Sequence, residues 1–247
     1  MMQLENKVTI VTGSGRNIGE GIANRYADEG ARVAIVDKLG DRTESVASAI
    51  NSSHPGAALA IECDVTDSTS VQAMVEKVIG EWGHIDVLVN NVGVVDRTNI
   101  LELPESEWHR VIAVSLTSVF LVTKYVAMRM VERGQGGRII NIASTSGHQG
   151  RPNATAYPAA KAGGLHLTRT LAMQLAPYNI RVNSVTPNRV LTEAEPGAPG
   201  RATSVTNLIG RQGTPADIAG ACVFLASLDA DFITGIDLPV DGGVLAG

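Results

Sequence analysis

The sequence predicts an α/β fold in which helices cover both faces of a doubly wound parallel sheet of about seven strands. Short β-branched runs, beginning with residues 7–12, alternate with longer stretches of helical periodicity, beginning with residues 18–29. A glycine-rich turn joins the members of this first pair. Repeated units of this length favour parallel strands joined by crossover helices, because parallel neighbours need a long connection.

The remaining elements continue the same alternation. Strands are predicted at residues 7–12, 32–36, 58–62, 85–89, 138–142, 180–185 and 236–240. Helices are predicted at residues 18–29, 67–82, 104–133, 157–176 and 215–228. Since no linker, repeat or low-complexity stretch interrupts the pattern, we expect residues 1–247 to form a single domain. The one irregular segment, about residues 193–211, is rich in Pro and Gly, and we expect it to form a substrate lid.

The composition argues against several classes of protein. The chain carries 20 Lys and Arg against 25 Asp and Glu, a net charge of −5 without a basic block, so nucleic acid is not the expected partner. Cys63 and Cys222 form neither a disulfide framework nor a metal-ligand spacing, so we expect no metal and a reducing compartment. The N-terminus lacks an apolar signal core, and the longest apolar run, residues 111–122, is too short to span a bilayer. A cytoplasmic protein without a membrane anchor is expected.

The glycine-rich turn at residues 12–19 reads Thr-Gly-Ser-Gly-Arg-Asn-Ile-Gly. Glycines let a backbone approach a pyrophosphate, and the following helix N-terminus offers N–H donors and a positive dipole end. The strict Gly-x-Gly-x-x-Gly spacing is absent, so a plain tight turn is the competing interpretation.

Asp37 ends the second predicted strand, 18 residues beyond Gly19, and favours a dinucleotide site. Its carboxylate can accept hydrogen bonds from ribose hydroxyls and would repel a 2′-phosphate. Arg16 and Lys38 favour the opposite preference, because a cation beside the ribose can pair with a 2′-phosphate. We expect NAD as the cofactor, with NADP as the second candidate.

Tyr157 and Lys161 lie four residues apart at the start of a predicted helix. This spacing places both on one helix face, with Cβ atoms roughly 5–6 Å apart. Free tyrosine, with a pKa of about 10, is a poor proton acceptor at neutral pH, and a nearby cation favours the phenolate. We therefore expect Lys161 to lower the pKa of Tyr157, although a solvated surface pair is the alternative.

Further motifs accompany this pair in a fixed order. They are Cys63-Asp64-Val65, Asn90-Asn91-Val92-Gly93, Asn141-Ile142-Ala143-Ser144, residues 181–187 with Val190 and Thr192 after them, and Asp241-Gly242-Gly243. With these motifs the chain resembles the short-chain dehydrogenase/reductase family from residue 7 to residue 243. The resemblance implies a single-domain Rossmann-type fold and catalysis by Ser144, Tyr157 and Lys161.

The resemblance also implies the ligand-binding residues. It assigns the cofactor to Gly13, Gly15, Arg16, Asn17, Ile18, Gly19, Asp37, Asp64, Val65, Asn91, Gly93, Tyr157, Lys161, Pro187, Val190 and Thr192. Substrate contacts are expected from Ser144, His148, Asn153 and Tyr157. Other residues at the predicted strand ends are expected to face the pocket, namely Val94, Val95, Asp96, Arg97, Thr145, Gln149, Arg151 and Arg189.

Two departures from the family pattern concern the chemistry. Asn17 replaces the middle glycine of the cofactor turn, and asparagine tolerates positive φ better than most residues. Ser115 stands where the family usually carries an asparagine that holds a water of the proton relay. A serine hydroxyl is shorter and offers fewer hydrogen-bonding groups, so we expect Ser115 to be a weaker member of the catalytic set.

Taken with the resemblance, these features predict an oxidoreductase that transfers hydride between NAD(H) and a secondary alcohol or its ketone, with Tyr157 as general acid and base. The first alternative is an NADP(H)-dependent carbonyl reductase of the 3-oxoacyl type, and the second is a non-catalytic dinucleotide-binding protein. The expected pocket is more polar than a steroid or fatty-acyl site, which favours a small polar or anionic substrate. Small residues along the helix at 154–176 and the family resemblance together predict a homotetramer.

Overall fold

The computed structural model describes residues 2–191 and 207–246. Within these ranges, seven strands form one parallel sheet in the spatial order β3-β2-β1-β4-β5-β6-β7. In chain order the strands are β1 (Val8–Thr12), β2 (Arg32–Asp37), β3 (Ala58–Glu62), β4 (Val87–Asn90), β5 (Gly137–Ile142), β6 (Ile180–Pro187) and β7 (Asp237–Val240). The predicted doubly wound parallel sheet is confirmed.

Seven α-helices are seen in the described ranges. They are α1 (Asn17–Asp28), α2 (Gly40–Ser53), α3 (Ser68–Trp82), α4 (Glu105–Ile112), α5 (Ser118–Arg133), α6 (Ala156–Leu175) and α7 (Pro215–Ala226). The sequence pattern assigns no element to α2, whose buried apolar face is narrow and consists of Val46, Ala47 and Ile50. It also predicts one uniform helix for residues 104–133, where the π-helical segment Ala113–Thr117 joins α4 to α5.

The sheet is buried on both faces, which explains the continuous apolar runs of its strands. Alternate residues enter two separate core layers. Val33 and Ile35 of β2 pack in the layer beneath α1 and α7, whereas Ala34 and Val36 pack in the layer beneath α3 and α5. This alternation follows from the period of two along a strand.

A chain of buried polar side chains crosses the middle of the sheet. The amide nitrogen of Asn90 on β4 donates to Thr123 of α5 at 3.0 Å and to Asn141 of β5 at 2.9 Å. Asn141 in turn donates to Thr168 of α6 at 2.9 Å, and Thr168 donates to the Gly164 carbonyl at 2.9 Å. The two helices and the two central strands are therefore held in one register.

The helix from Glu105 to Arg133 is longer than the apolar run on which the sequence prediction rested. Its most apolar window has a mean hydropathy of 1.8, so by length and composition alone this helix could cross a membrane. Val122, Val126 and Met130 are buried against the sheet in the second core layer. A core helix accounts for such hydropathy equally well.

Candidate active site

One cavity of about 610 Å³ opens at the carboxyl ends of the strands. It lies where the winding reverses, since β1 neighbours both β2 and β4 in the sheet. The predicted site residues that line it are Gly13, Arg16, Asn17, Ile18, Asp37, Asp64, Val65, Asn91, Gly93, Ser144, Tyr157, Lys161 and Pro187. The topology thus brings together residues that are far apart in the chain.

The glycine turn forms one end of this cavity and leaves no room for side chains at two positions. A Cβ atom on Gly19 would lie 2.2 Å from the Gly13 carbonyl oxygen, and Gly13 itself has a φ of +63°. Asn17 begins α1 with a φ of +56°, the left-handed conformation that asparagine tolerates. Such a cradle of backbone at a helix N-terminus fits the pyrophosphate of a dinucleotide.

Asn91 supports the turn from the neighbouring strand. Its backbone N–H donates to the Thr12 hydroxyl at 3.0 Å, and its amide nitrogen donates to the carbonyls of Thr12 and Gly13 at 3.0 and 3.1 Å. These bonds lock β4 to the end of β1. The Asn91 amide therefore fixes the shape of the cavity wall.

Acidic and basic groups meet where the adenosine half of a dinucleotide is expected. Lys38 donates to Asp64 at 2.6 Å, and this bond, assisted by Thr66, lowers the pKa of Asp64 to about 2. Asp37 lines the cavity beside Arg16 and Arg42. Burial and then the neighbouring charge of Arg42 lower the pKa of Arg16, while Asp37 acts in the opposite direction. The region carries features of both NAD and NADP sites.

Ser144, Tyr157 and Lys161 lie together at the end of β5 and the start of α6. The Ser144 and Tyr157 side chains line the same cavity, and Ser144 acts to lower the pKa of Tyr157. The Lys161 ammonium donates to the Ile142 carbonyl at 2.7 Å and lies 5.7 Å from the centre of the Tyr157 ring. A phenol, a hydroxyl and an ammonium thus lie together on one part of the cavity wall.

Burial dominates the protonation of both residues of the Tyr–Lys pair. It raises the pKa of Tyr157, and the hydrogen bond from Ser144 and the charge of Arg151 only partly offset this. Burial also lowers the pKa of Lys161 to about 8. The pKa of Tyr157 is raised overall, because desolvation of the phenolate outweighs the effects of Ser144 and Arg151. The expectation that Lys161 lowers this pKa stays a prediction.

Asp96 does not face the pocket as expected. Only 2% of its surface is exposed, and its carboxylate accepts the backbone N–H groups of Thr155, Ala156 and Tyr157 at 2.7, 3.0 and 2.8 Å. Burial opposes ionisation of Asp96, but these three bonds together lower its pKa below the ordinary value. Asp96 is a charged cap on the N-terminus of α6.

Ser115 lies in the π-helical segment and clamps the loop that follows β4. Its hydroxyl accepts the Val94 N–H at 3.0 Å and donates to the Val94 carbonyl at 3.1 Å. Only 1% of Ser115 is exposed. Its hydroxyl is thus committed to the loop, and its part in a proton relay stays a prediction.

Other predicted site residues lie away from the cavity wall. Gly19 packs against the Gly13 carbonyl, Gly15 packs against the cavity residues Asp37 and Arg42, and Val190 is bridged to Gly213. His148 pairs with Asp237 on β7 at 2.9 Å. Asn153 is exposed in the turn before α6, and Thr192 lies outside the described residues, as does most of the predicted lid, residues 193–206. Substrate contacts by His148 and Asn153 stay predictions.

The sequence interpretation missed several residues of the cavity wall, namely Arg42, Thr66, Arg110 and Val114. Arg42 belongs to α2, which the pattern left unassigned, and Thr66 follows Asp64 by two residues. Nothing in the local sequence around Arg110 or Val114 shows that this helix approaches the cavity. Among the residues that the structure describes, no group of three His, Cys, Asp or Glu could hold a metal ion.

Known proteins resemble this chain over nearly its whole length. The profile of a family described as enoyl-(acyl carrier protein) reductase matches residues 13–245. The chain is 39% identical to D-threitol dehydrogenase of Mycolicibacterium smegmatis, covering 98% of this chain and 94% of that protein. It is 38% identical to galactitol 2-dehydrogenase of Agrobacterium fabrum, with 98% of each covered. A crystal structure of a short-chain type dehydrogenase/reductase from Mycobacterium marinum has a TM-score of 0.91 and 36% identity, covering 100% of this chain and 98% of that one.

The parallel sheet has a glycine-lined cavity at its switch point. Together with these matches, this architecture identifies an oxidoreductase of the dinucleotide-binding class. The chain belongs to the short-chain dehydrogenase/reductase family. Membership implies a nicotinamide dinucleotide as cofactor, and the predicted family is confirmed.

Replacing Lys161 by Met tests the cost of burying the ammonium. Lowering its pKa from 10.5 to about 8 corresponds to about 3 kcal/mol of unfolding free energy, a penalty fully present below pH 8 and relieved as pH rises to 10.5. The lost bond to Ile142 costs about 1 kcal/mol. We therefore expect Lys161→Met to be more stable than the parent at pH 7 by about 1–3 kcal/mol, and this difference to shrink towards pH 10.5.

Urea unfolding at pH 7 and pH 10 measures this difference. Lys77→Met is the matched control, because Lys77 is exposed and donates a similar bond to the Ala60 carbonyl at 3.0 Å. It should show no such gain. A Lys161→Met protein that is less stable than the parent at pH 7 would contradict the conclusion that burial of the Lys161 ammonium destabilises the fold.

Replacing Ser115 tests its contacts with the loop after β4. Ser115→Ala leaves the partly buried Val94 N–H without its partner, and we expect a loss of about 1–3 kcal/mol together with lower activity. Ser115→Asn can restore both bonds through its amide, so activity should be unchanged or raised if the larger side chain is accommodated. The control is Ser118→Ala, which removes only a local bond to the Val114 carbonyl. Thermal melts measure the stability of each variant, and kcat measures its activity. A Ser115→Ala protein as stable as the parent would refute the role of Ser115 in holding the loop after β4.

Proposed function

We propose that this protein transfers hydride between NAD(H) and a secondary alcohol of a small polyhydroxylated substrate, or the corresponding ketone. The observation that carries the proposal is that Ser144, Tyr157 and Lys161 line the same cavity as the glycine turn. The relatives named D-threitol dehydrogenase and galactitol 2-dehydrogenase support a small polyol. The polar residues of the wall suit such a substrate better than a long acyl chain.

The chain's own residues supply proton transfer and orientation. A bound nicotinamide dinucleotide would supply the hydride acceptor or donor. The glycine turn would hold its pyrophosphate, and Lys161 would hold its nicotinamide ribose. Tyr157 takes the hydroxyl proton during oxidation and returns it during reduction. Ser144 donates a hydrogen bond to the substrate oxygen and steadies it as charge develops. Since Ile142 accepts only one of the three ammonium protons, Lys161 keeps two donors for the nicotinamide ribose.

The protonation of Tyr157 sets the pH dependence of the two directions. Because burial raises its pKa, the phenol carries its proton at neutral pH, which suits reduction of a ketone. Oxidation needs the deprotonated form, whose population increases with pH. The rate of alcohol oxidation is therefore expected to rise into the alkaline range while ketone reduction falls.

A second candidate is NADP(H)-dependent reduction of a 3-oxoacyl substrate. The observation that favours it is the set of cations near the adenosine end, Arg16, Lys38 and Arg42. The description of the matching family as an acyl carrier protein reductase agrees with it. Against it, Lys38 is already paired with Asp64, and Asp37 lies where a 2′-phosphate would be repelled.

We further propose a homotetramer built on α5 and α6. Large apolar side chains are exposed on these helices, including Phe120, Met128 and Met173. Gly163 of α6 lies close to Leu116 of the π-helical segment that precedes α5, where a Cβ atom would be 3.1 Å from the leucine side chain. An exposed apolar face of this kind favours association with further copies of the chain.

Tyr157→Phe tests the proposed reaction. We expect turnover of threitol, galactitol and 2,3-butanediol with NAD to fall by at least about 10²–10⁴-fold, because the only proposed acid/base group is removed. The parent should show oxidation that rises with pH. Tyr178→Phe, at an exposed tyrosine, is the control and should keep parent activity. A Tyr157→Phe protein that retains activity and the same pH profile would exclude this mechanism.

Asp37→Ala tests the cofactor preference. Loss of hydrogen bonds to the ribose should lower kcat/KM for NAD by about 10–100-fold and relax discrimination against NADP. Asp41→Ala, which changes an exposed acid at the start of α2, should leave both values unchanged. The measurement is kcat/KM with each cofactor at saturating substrate. Comparable values for NADP and NAD in the parent would favour the second candidate.

A further inference from the structure

The N-terminus of α6 is satisfied by a distant residue. The first N–H groups of any helix lack partners within the helix, and the N-cap residue here, Thr155, makes no side-chain cap bond. Asp96 supplies three acceptors instead, from a loop 59 to 61 residues away in the chain. One carboxylate oxygen accepts Thr155 and Ala156, and the other accepts the N–H of Tyr157 itself.

The loop that carries Asp96 is fixed at two points. Ser115 clamps Val94 from the π-helical segment, and Asp96 ties the same loop to α6. Val94 and Val95 line the cavity between these two points. These hydrogen bonds therefore connect the cavity wall after β4 to the first turn of α6.

We propose that Asp96 is a positioning residue for Tyr157, holding the first turn of α6 so that the phenol stays on Ser144 and faces the reacting atom. This inference rests on the proposed function, because it assumes that Tyr157 transfers the proton. Asp96 touches neither substrate nor the reacting atoms and acts through the backbone of Tyr157. A carboxylate suits this task because charged acceptors form the stronger bonds to backbone N–H groups.

The charge of Asp96 also belongs to the field around the phenol. Lys161 and Arg151 are the cations near Tyr157, while Glu107, paired with Arg110, lies close enough to Asp96 to feel its charge. An anion at the start of α6 offsets the positive end of the helix dipole. Removing that anion should make the phenol ionise at lower pH.

The first test uses the parent protein alone. If Asp96 holds the helix, the amides of Thr155, Ala156 and Tyr157 should exchange with deuterium far more slowly than ordinary first-turn amides. Exchange of the Tyr157 amide at the rate of an unprotected peptide would overturn the proposal. This measurement needs no substrate, no cofactor and no variant.

The second test compares Asp96→Asn and Asp96→Ala with the parent. Asparagine keeps one acceptor oxygen but turns an amide towards the Tyr157 N–H, so we expect kcat to fall about tenfold, and about 10²-fold for alanine, with smaller changes in KM. In protein labelled with ¹³C at tyrosine Cζ, the Tyr157 resonance of Asp96→Asn should titrate about half a pH unit or more below that of the parent. Tyr157→Phe assigns the resonance.

Asp67→Asn is the matched control, because Asp67 caps α3 by accepting the Ser70 N–H at 2.8 Å and has no contact with α6. It should leave kcat and the Tyr157 titration unchanged. A folded Asp96→Asn protein with parent kcat and an unmoved Tyr157 titration would refute the positioning role. If the parent oxidises none of the alcohols, the proposed function fails, while amide exchange and the Tyr157 resonance still decide whether Asp96 holds the residue.

Discussion

The buried hydrogen bonds from Asn90 to Thr168 are the constraint on which the cavity geometry depends. An amide without partners inside the sheet costs about 1–3 kcal/mol, so each member of this chain fixes the next. Asn141 binds Thr168 from β5, the strand that ends at Ile142, two residues before Ser144. A shift of α6 along β5 would break that bond and would also carry Tyr157 away from Ser144.

Much of the fold could be predicted because the strands have a strong local signal. The buried positions of β2 are all apolar and those of β1 are apolar except for Thr9 and Thr12, as expected for strands covered on both faces. The helix α2 was not predicted, because its buried apolar face consists of only three small or medium side chains. The π-helical segment was not predicted for another reason. It is a change in backbone hydrogen bonding, and it leaves the apolar periodicity of α4 and α5 almost unaltered.

The candidate site was predictable where a motif is local, and less so where partners are distant. Asn17 could be assigned a left-handed conformation from its residue type and its place in the turn. Asp96 could not be assigned its role, because the N–H groups it accepts lie some sixty residues further along the chain. The protonation of Tyr157 was also beyond reach, since burial depends on the whole wall around the phenol. The sequence spacing shows that Lys161 lies near Tyr157. Only the folded structure shows whether burial or nearby cations have the larger effect on the pKa of Tyr157.

Burial has opposite consequences for the two residues of the Tyr–Lys pair. It disfavours the phenolate of Tyr157 and equally disfavours the ammonium of Lys161, whose pKa falls to about 8. At neutral pH the pair is therefore a neutral phenol beside a cation that is still mostly charged. The structure keeps this costly cation in place through Ile142, whose carbonyl is fixed by the parallel pairing of β5 with β6. The stability lost by burying the Lys161 ammonium is thus partly offset by its bond to a carbonyl that the sheet holds in position.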